Sequence, residues 1–416
     1  MIKETRKALL KEKGFPGGCS IHIMGGDIVK LLLKQYNIEN TMSIVKTFFQ
    51  GVIMKGIIKE YIEASPEKMI SYAEYMELAL YHPEEGYYIK ERQKIGKKGD
   101  FYTSSNVADV FGKLIGKWFA KNSGTLGLPP SVCEIGAGNG RFARSFIQGW
   151  NELSHERLSY WIVEASPYHR KLQAAELDGL ENVNVLHADA YEGTGMEQGL
   201  IFSNELFDAF PVHVVEKSES VIKEVFVGHD NGELKEIMIP VMDHRITAFL
   251  NDQGIELAEG QRMEVPLTYE PFLKSIAEQF SKGIMMTVDY GYTKEEWMHP
   301  SRRRGSLRGY YQHQMFHDVL QHPGEMDLTS HVHFDALKST GEKYGLSFVR
   351  KMRQDEFLMA AGILDELAEH HDPNPFSEAS KRNRAIRSLI LPGGISQSFD
   401  VILQAKGMGS LDEKLF

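Results

Sequence analysis

Val-Cys-Glu-Ile-Gly-Ala-Gly-Asn-Gly-Arg-Phe-Ala, residues 132–143, is the stretch that decides the fold. An apolar run of strand length ends at Glu134 and Ile135, and three alternate glycines lead into a helical pattern. Glycine lets a backbone turn sharply and approach a ligand with no Cβ in between. A helix start then offers unpaired amide groups. In a dinucleotide-binding protein this geometry faces a pyrophosphate. Two features argue for another ligand. The spacing is Gly-x-Gly-x-Gly at Gly136, Gly138 and Gly140, not Gly-x-Gly-x-x-Gly. A carboxylate, Glu134, precedes the first glycine, where it repels a pyrophosphate and attracts a cation. S-adenosyl-L-methionine, with an ammonium end and a sulfonium, fits that charge. A purely structural glycine turn and a nicotinamide-dependent oxidoreductase are the competing readings.

Working outward, apolar strands are expected at 131–135, 160–163, 183–186 and 200–203, with helices at 141–150 and 167–177 between them. Strand and helix in alternation, with strands apolar on both faces, predict an α/β fold: a mostly parallel sheet with helices on both sides. The ends of adjacent parallel strands converge on one crevice. Glu164 closes the second strand, where an acid accepts hydrogen bonds from ribose hydroxyls. Asp189 and Ala190 follow the third, near where an adenine amine would lie. Ile-Phe-Ser-Asn-Glu-Leu-Phe-Asp-Ala-Phe-Pro, 201–211, brings Asn204, Glu205 and Asp208 to the same edge among aromatic residues. Methyl transfer needs an acceptor lone pair in line with the methyl–sulfur bond. Carboxylates orient a guanidinium or amine acceptor and offset its charge, the role expected of Glu205 and Asp208. Asn204 would position the substrate or cap the loop.

Farther out, helices are expected at 66–81, 107–119, 269–281, 333–344 and 356–370, and strands at 283–288, 347–350 and 399–404. Residues 212–227 read as an antiparallel hairpin. Residues 291–330, rich in glycine, arginine and histidine, have little regular pattern and read as a lid or binding element. The expected division is an N-terminal extension at 1–56 and a helical, cofactor-covering segment at 57–130. The core follows at 131–406, with insertions at 212–268 and 291–330, then a tail at 407–416. Gly25-Gly26-Asp27 before 28–33 is consistent with a helix start.

The chain has 416 residues, 42% hydrophobic and 25% charged, which suits a packed core and not a disordered chain. A formal net charge of -10 argues against a nucleic-acid partner, which needs a basic surface. Only Cys19 and Cys133 are present, so a disulfide framework is excluded and a reducing compartment, the cytoplasm, is expected. Cys133 falls in a central strand and reads as a buried, inert thiol. The N-terminal segment lacks the arginine-rich, acid-poor character of a transit peptide. No apolar run of about 20 residues is present, so no membrane span is expected. The apolar run 44–58, interrupted by Lys46 and Lys55, suits a surface helix, core packing or a homodimer contact.

Several blocks carry a closer match. They are Tyr81-His82-Pro83, Gly86-Tyr87-Tyr88, Gly99-Asp100-Phe101-Tyr102-Thr103-Ser104, Glu134-Ile135-Gly136-Ala137-Gly138, Ser203-Asn204-Glu205-Leu206-Phe207-Asp208-Ala209-Phe210-Pro211, Asp289-Tyr290-Gly291 and Asp327-Leu328-Thr329. In this order, across roughly 66–406, they resemble the MidA-like methyltransferase family. The resemblance implies a class I methyltransferase (Rossmann-like) fold with an antiparallel last strand and sizeable insertions, and S-adenosyl-L-methionine as methyl donor. Mitochondrial members of that family are protein arginine methyltransferases that make dimethylarginine, so a protein substrate is implied. Carried over by position, Gly136, Gly138 and Gly140 line the cofactor, Glu164 holds its ribose and Asp189 flanks its adenine. The loop 99–105, with Thr103 and Ser104, comes over it, and Asn204, Glu205 and Asp208 face the substrate. Two departures stand out. His333 occupies a Val-His-Phe run where the family pattern has Val-Asp-Phe, which puts substrate contact at that position in question. The segment before residue 56 has no counterpart and reads as an extension, or as sequence upstream of a start at Met54.

Other constellations are weaker. His313 and His317 have the spacing of one helical turn, but no His-Glu-x-x-His run or cysteine pair supports a metal, and none is expected. His331 or His333 would serve as a base near the acceptor, since imidazole titrates near neutral pH; His333 is counted among the candidate catalytic residues. Gly96-Lys97-Lys98-Gly99 lacks the phosphate-loop spacing, and Gly-x-Ser-x-Gly is absent. The run Arg302-Arg303-Arg304 reads as a solvated loop or as a contact for an acidic protein surface. The leading expectation is a methyltransferase acting on protein arginine. The alternatives are another side chain or a small molecule as acceptor, and an assembly factor that binds cofactor but acts through a partner protein.

Overall fold

Seven strands make the central sheet of the computed structural model. In chain order they are β1 Ser131–Ile135, β2 Leu158–Val163, β3 Val183–Ala188, β4 Gln198–Asn204, β5 Lys282–Asp289, β6 Ser347–Arg353 and β7 Asp400–Lys406. They lie side by side as β6-β7-β5-β4-β1-β2-β3. The first five pair in parallel, and β7 runs antiparallel to both β5 and β6. The structure describes residues 42–91, 109–367, 374, 377–391, 395–409, 411 and 415. The expected helix start at 25–33, Cys19, the loop 99–105 with Thr103 and Ser104, and the end of the 356–370 helix lie outside those residues.

The central strands are apolar throughout because both faces are covered. Val132, Leu200, Phe202, Ile284, Met286, Val401 and Leu403 point into one core, under helices Asp109–Leu126 and Arg141–Leu153. Their neighbours Cys133, Ile201, Met285 and Ile402 point into the other, under helices Tyr269–Gln279 and Phe334–Lys343. A side-chain period of two splits each strand between the layers. Phe142 stacks on Phe202 at 4.1 Å between ring centres, anchoring the helix that follows the glycine turn. Cys133 is fully buried, and burial pushes its thiol well above the usual range.

The chain divides into two compact units, Met1–Ile53 and Met54–Phe416. Of the first, only the helical residues from Met42 onward are described. In the second, an antiparallel sheet stands beside the central one. Its strands are Ile70–Ser71, His213–Ser218, Val221–Asp230, Glu233–Pro240 and Arg262–Val265. Helix Tyr72–Tyr81 starts at a capping box on Ser71 and Glu74, and buries Tyr75 and Met76 with Met54, Ile58, Val225 and Val227. Within 44–58, Met54 and Ile58 therefore pack in a core.

Some elements differ from expectation. The hairpin at 212–227 gains a third strand, Glu233–Pro240, and helix His244–Asp252 follows it. Five of the third strand's eight residues are exposed and none is fully buried, which weakened its apolar signal. Helix Glu378–Ile390 went unread because only Ile386 and Leu389 of its arginine-rich sequence are fully buried. The 291–330 segment contains strands Arg308–Tyr311, Gln314–Phe316 and Asp327–Thr329 in one small sheet. Gln312 and His313, both at positive φ, make the turn of that hairpin, so His313 and His317 do not share a helix face. Among the described residues no cluster of His, Cys, Asp and Glu is placed to hold a metal, and no helix is long and apolar enough to cross a membrane.

Candidate active site

The sheet order reverses between β1 and β4, and a crevice opens beyond their carboxyl ends. There the chain leaves β1 through Gly136, whose amide donates to the Val163 carbonyl of β2 at 2.9 Å. Gly136 and Gly138 have φ of 76° and 56°, values that side chains with a Cβ rarely adopt. A Cβ on Gly136 would also stand 3.1 Å from the Leu206 side chain.

A cavity of about 240 Å³ lies against this turn, lined by Glu134, Gly136, Gly138, Glu164, Asp189, Asn204 and Glu205. Tyr81 and Tyr88, stacked at 5.5 Å, close it from the N-terminal side. Glu164 is held by two backbone amides: Gly138 donates to Oε2 at 2.9 Å and Ser166 to Oε1 at 2.8 Å. Glu134 accepts from the Tyr160 hydroxyl at 2.8 Å. Burial pushes its carboxyl up to about 8, against that hydrogen bond and with help from the Glu164 charge. The Asn204 amide nitrogen donates to Glu205 at 3.1 Å, while Asn204 Oδ1 is buried without a partner. Asp189 is exposed at the rim and paired with Arg170 at 2.7 Å.

A second, wider cleft of about 620 Å³ meets this cavity at Tyr88 and Glu205, which line both. Glu205, Asp208 and Asp327 make its acidic wall. The Tyr290 hydroxyl donates to Asp208 at 2.5 Å and the Tyr88 hydroxyl to Asp327 at 2.6 Å. Beneath them Asp289 accepts from the amides of Leu206, Phe207 and Tyr290 at 2.9–3.2 Å, fixing the loop that carries Glu205. Glu205 itself has φ of 50°, a conformation disfavoured for glutamate and held by this loop. Burial raises the Glu205 carboxyl to about 8, the charge of Asp208 adding to it and the Asn204 hydrogen bond opposing. Burial likewise raises Asp208, against its Tyr290 hydrogen bond, and raises Asp289 further with the charges of Asp208 and Glu205. No lysine or arginine among the described residues pairs with Glu205, Asp208 or Asp289.

Not every expected residue reaches these cavities. Gly140 caps helix Arg141–Leu153 at φ of 83° and faces Gln173, 3.1 Å from where its Cβ would be, so its role is in packing. Ala190 is exposed and lines neither cavity. Thr103 and Ser104 lie outside the described residues. His333 is only 1% exposed, stacks on Trp297 and accepts the Ala336 amide at Nδ1 as the cap of helix Phe334–Lys343. It lines neither cavity, and burial pushes its ring down to about 4. The catalytic role expected of it is therefore corrected: it is a helix cap, a position an aspartate fills equally well. His333→Ala is expected to lower unfolding free energy by about 1–2 kcal/mol, from the lost cap, and to leave kcat unchanged. Denaturant melts beside a methylation assay check both. His331, by contrast, lines the acidic cleft. Burial, reinforced by Arg308 and Arg302, lowers it to about 3, so it is a neutral imidazole there. Tyr88, Asp289, Tyr290 and Asp327 were missed as site residues, although each sits in one of the family-like blocks.

Comparison with known proteins gives the family. The family model described as putative S-adenosyl-L-methionine-dependent methyltransferase matches residues 114–352, more than half of the chain. The chain belongs to that family. The methyltransferase is 27% identical to the mitochondrial protein arginine methyltransferase NDUFAF7 of Danio rerio over 86% of its own length and 84% of the relative's. It is also 27% identical to the Homo sapiens protein of that name, over 82% and 78%. A crystal structure of a COG1565 superfamily member from Burkholderia thailandensis, bound to S-adenosyl-homocysteine, superposes with a TM-score of 0.79 at 28% identity. That match covers 88% of the methyltransferase and 95% of the bacterial chain. The fold is accordingly the class I methyltransferase fold, and the protein is an enzyme that uses S-adenosyl-L-methionine.

One expectation falls. The cytoplasmic placement does not stand, because the curated relatives are named as mitochondrial proteins. A low cysteine count reports reducing surroundings, and those do not single out the cytosol.

Proposed function

We propose that the enzyme transfers methyl groups from S-adenosyl-L-methionine to an arginine side chain of a protein substrate. The acidic cleft carries this reading: Glu205, Asp208 and Asp327 line a space that joins the glycine-turn cavity at Glu205. A guanidinium is planar, always charged and matched to carboxylates in pairs. The relatives' name, protein arginine methyltransferase, supports the same acceptor.

The residues of the smaller cavity fit the methyl donor. Glu164, its two oxygens already aligned by amides, has acceptor capacity left for ribose hydroxyls. Glu134 and the orphaned Asn204 Oδ1 suit an ammonium group, which supplies donors and positive charge to both. Asp189 at the rim flanks the adenine end. The donor, when bound, supplies an electrophilic methyl group. Glu205 and Asp208 hold the guanidinium so that one nitrogen faces the smaller cavity, and the proton that this nitrogen sheds on methylation passes to the Glu205 carboxylate.

Methylation of cell protein with labelled donor, followed by mass spectrometry of the labelled residue, tests the reading. Label on arginine supports it, and label confined to lysine or to small molecules overturns it. The pH profile is a further check. A carboxyl raised to about 8 is largely protonated at neutral pH and cannot pair with a guanidinium. kcat/KM is therefore expected to rise with pH through about 8, as Glu205 ionises in the free enzyme, and then level off. With donor saturating, so that Glu134 is already paired with the ammonium group, Glu205→Gln is expected to abolish that rise.

A further inference from the structure

The arginine run at 302–304 is not used by either cavity's chemistry as derived above. Arg303, Arg304 and Arg308, with His317, border a separate depression of about 460 Å³. It also contains three carboxylates and Arg262, but these are satisfied among themselves and by the backbone. Arg262 pairs with Glu216 at 2.9 Å and with both oxygens of Glu236 at 2.7–2.8 Å. Glu264 accepts from the amides of Ser306 and Leu307 and from the Ser306 hydroxyl, at 2.8–3.1 Å. Among the described residues, by contrast, Arg303, Arg304 and Arg308 have no carboxylate partner. Arg303 reaches only the Glu259 carbonyl and Arg308 only the Ser306 carbonyl and the Met315 sulfur. Arg303 and Arg304 are exposed. In a chain of net charge -10, this is a local surplus of positive charge.

The depression adjoins the acidic cleft through shared backbone. Arg308 opens strand Arg308–Tyr311, and its register partner is Thr329; Tyr310 on the same strand faces Asp327. Tyr310, Asp327 and Thr329 line the cleft. The Ser306 hydroxyl accepts the amide of His331, another cleft residue, at 2.9 Å. Paired strands lie about 4.8 Å apart, so a chain leaving the cleft past Thr329 meets the strand that carries Arg308.

We infer that the depression docks carboxylates of the acceptor protein, so that the methylated arginine lies within an acidic segment. This rests on the arginine reading above. The acidic wall selects the arginine, and Arg303, Arg304 and Arg308 select its neighbours. The arrangement offsets the repulsion that an acidic substrate meets from the enzyme's net charge. It also rejects arginines set among lysines and arginines, whose like charges meet the same guanidinium groups.

The test uses the full chain with peptides of equal length: an arginine flanked by aspartates, an arginine flanked by serines, and the aspartate peptide with glutamine in place of arginine. The aspartate-flanked arginine is expected to have a KM lower by about fivefold than the serine-flanked one, the scale of a few exposed charge pairs. Arg303→Glu with Arg304→Glu removes that advantage, leaving kcat and the serine-flanked peptide unchanged. Equal KM values for the two arginine peptides, or an advantage that survives the charge reversal, overturn the proposal. Fluorescence anisotropy of the arginine-free peptide separates the two readings. If it binds the native enzyme and not the double variant while no arginine peptide is methylated, docking stands and the arginine acceptor falls. Absence of both binding and a KM difference removes the docking site alone, provided an arginine peptide is methylated.

Discussion

Glu205→Gln is expected to lower kcat by about 10²–10³-fold, the effect of removing one aligned electrostatic partner from a dry site, while donor binding is retained. Glu205 is the one carboxylate among the described residues lining both cavities, so it faces the donor side and the acceptor side alike. Its loop is over-determined: Asp289 holds the next two amides, and the Glu205 amide donates to the Val288 carbonyl at 2.9 Å. Glutamine keeps the size, the strained backbone and the contact with Asn204, and removes only the charge. A structural role would therefore survive the change and a charge-based role would not. Labelled methyl transfer measures kcat, and calorimetry with S-adenosyl-homocysteine measures the donor site. Full activity in the variant would mean that Glu205 does not hold the acceptor.

Gly138→Val is expected to weaken donor binding by about 100-fold or more in a chain that still folds. A β-branched residue at φ of 56° is strained by about 1–3 kcal/mol. The turn relieves that strain by moving, and its movement breaks the amide bond to Glu164 and the 2.7 Å bond that the Gly138 carbonyl accepts from Gln173. Glu164 then loses one of the two donors that aim it into the cavity. Calorimetry against S-adenosyl-homocysteine reads the loss, and circular dichroism checks that the fold persists. Unchanged binding would show that the turn does not form the donor site.

The legible parts of the site were those where one short segment contains both the strand end and the functional group. Glu134, Gly136 and Gly138 stand at alternate positions of one five-residue stretch, and Glu164 and Asn204–Glu205 each close an apolar run. The parallel order then brings these ends together at the β1/β4 reversal. What a local pattern could not convey was direction. Gly140 belongs to the same glycine string, yet it turns toward Gln173. His333 lies beside His331 in sequence, but two residues along the chain one ring caps a helix beneath Trp297 and the other lines the cleft. Asp327 and Tyr88, far apart in sequence, come within 2.6 Å only because the 291–330 insertion packs against the segment that precedes β1.

The sequence by itself determined the alternation of strand and helix, the bend after β1 and the acids at the strand tips. These depend on hydrophobic period, on glycine's backbone freedom and on residues adjacent in the chain. Only the tertiary structure decided that Glu205 joins two cavities, that Asp289 supports it from below, and that three arginines without a carboxylate partner among the described residues border a depression of their own. Those facts depend on burial and on contacts between segments distant in sequence, and neither is a property of any short stretch of chain.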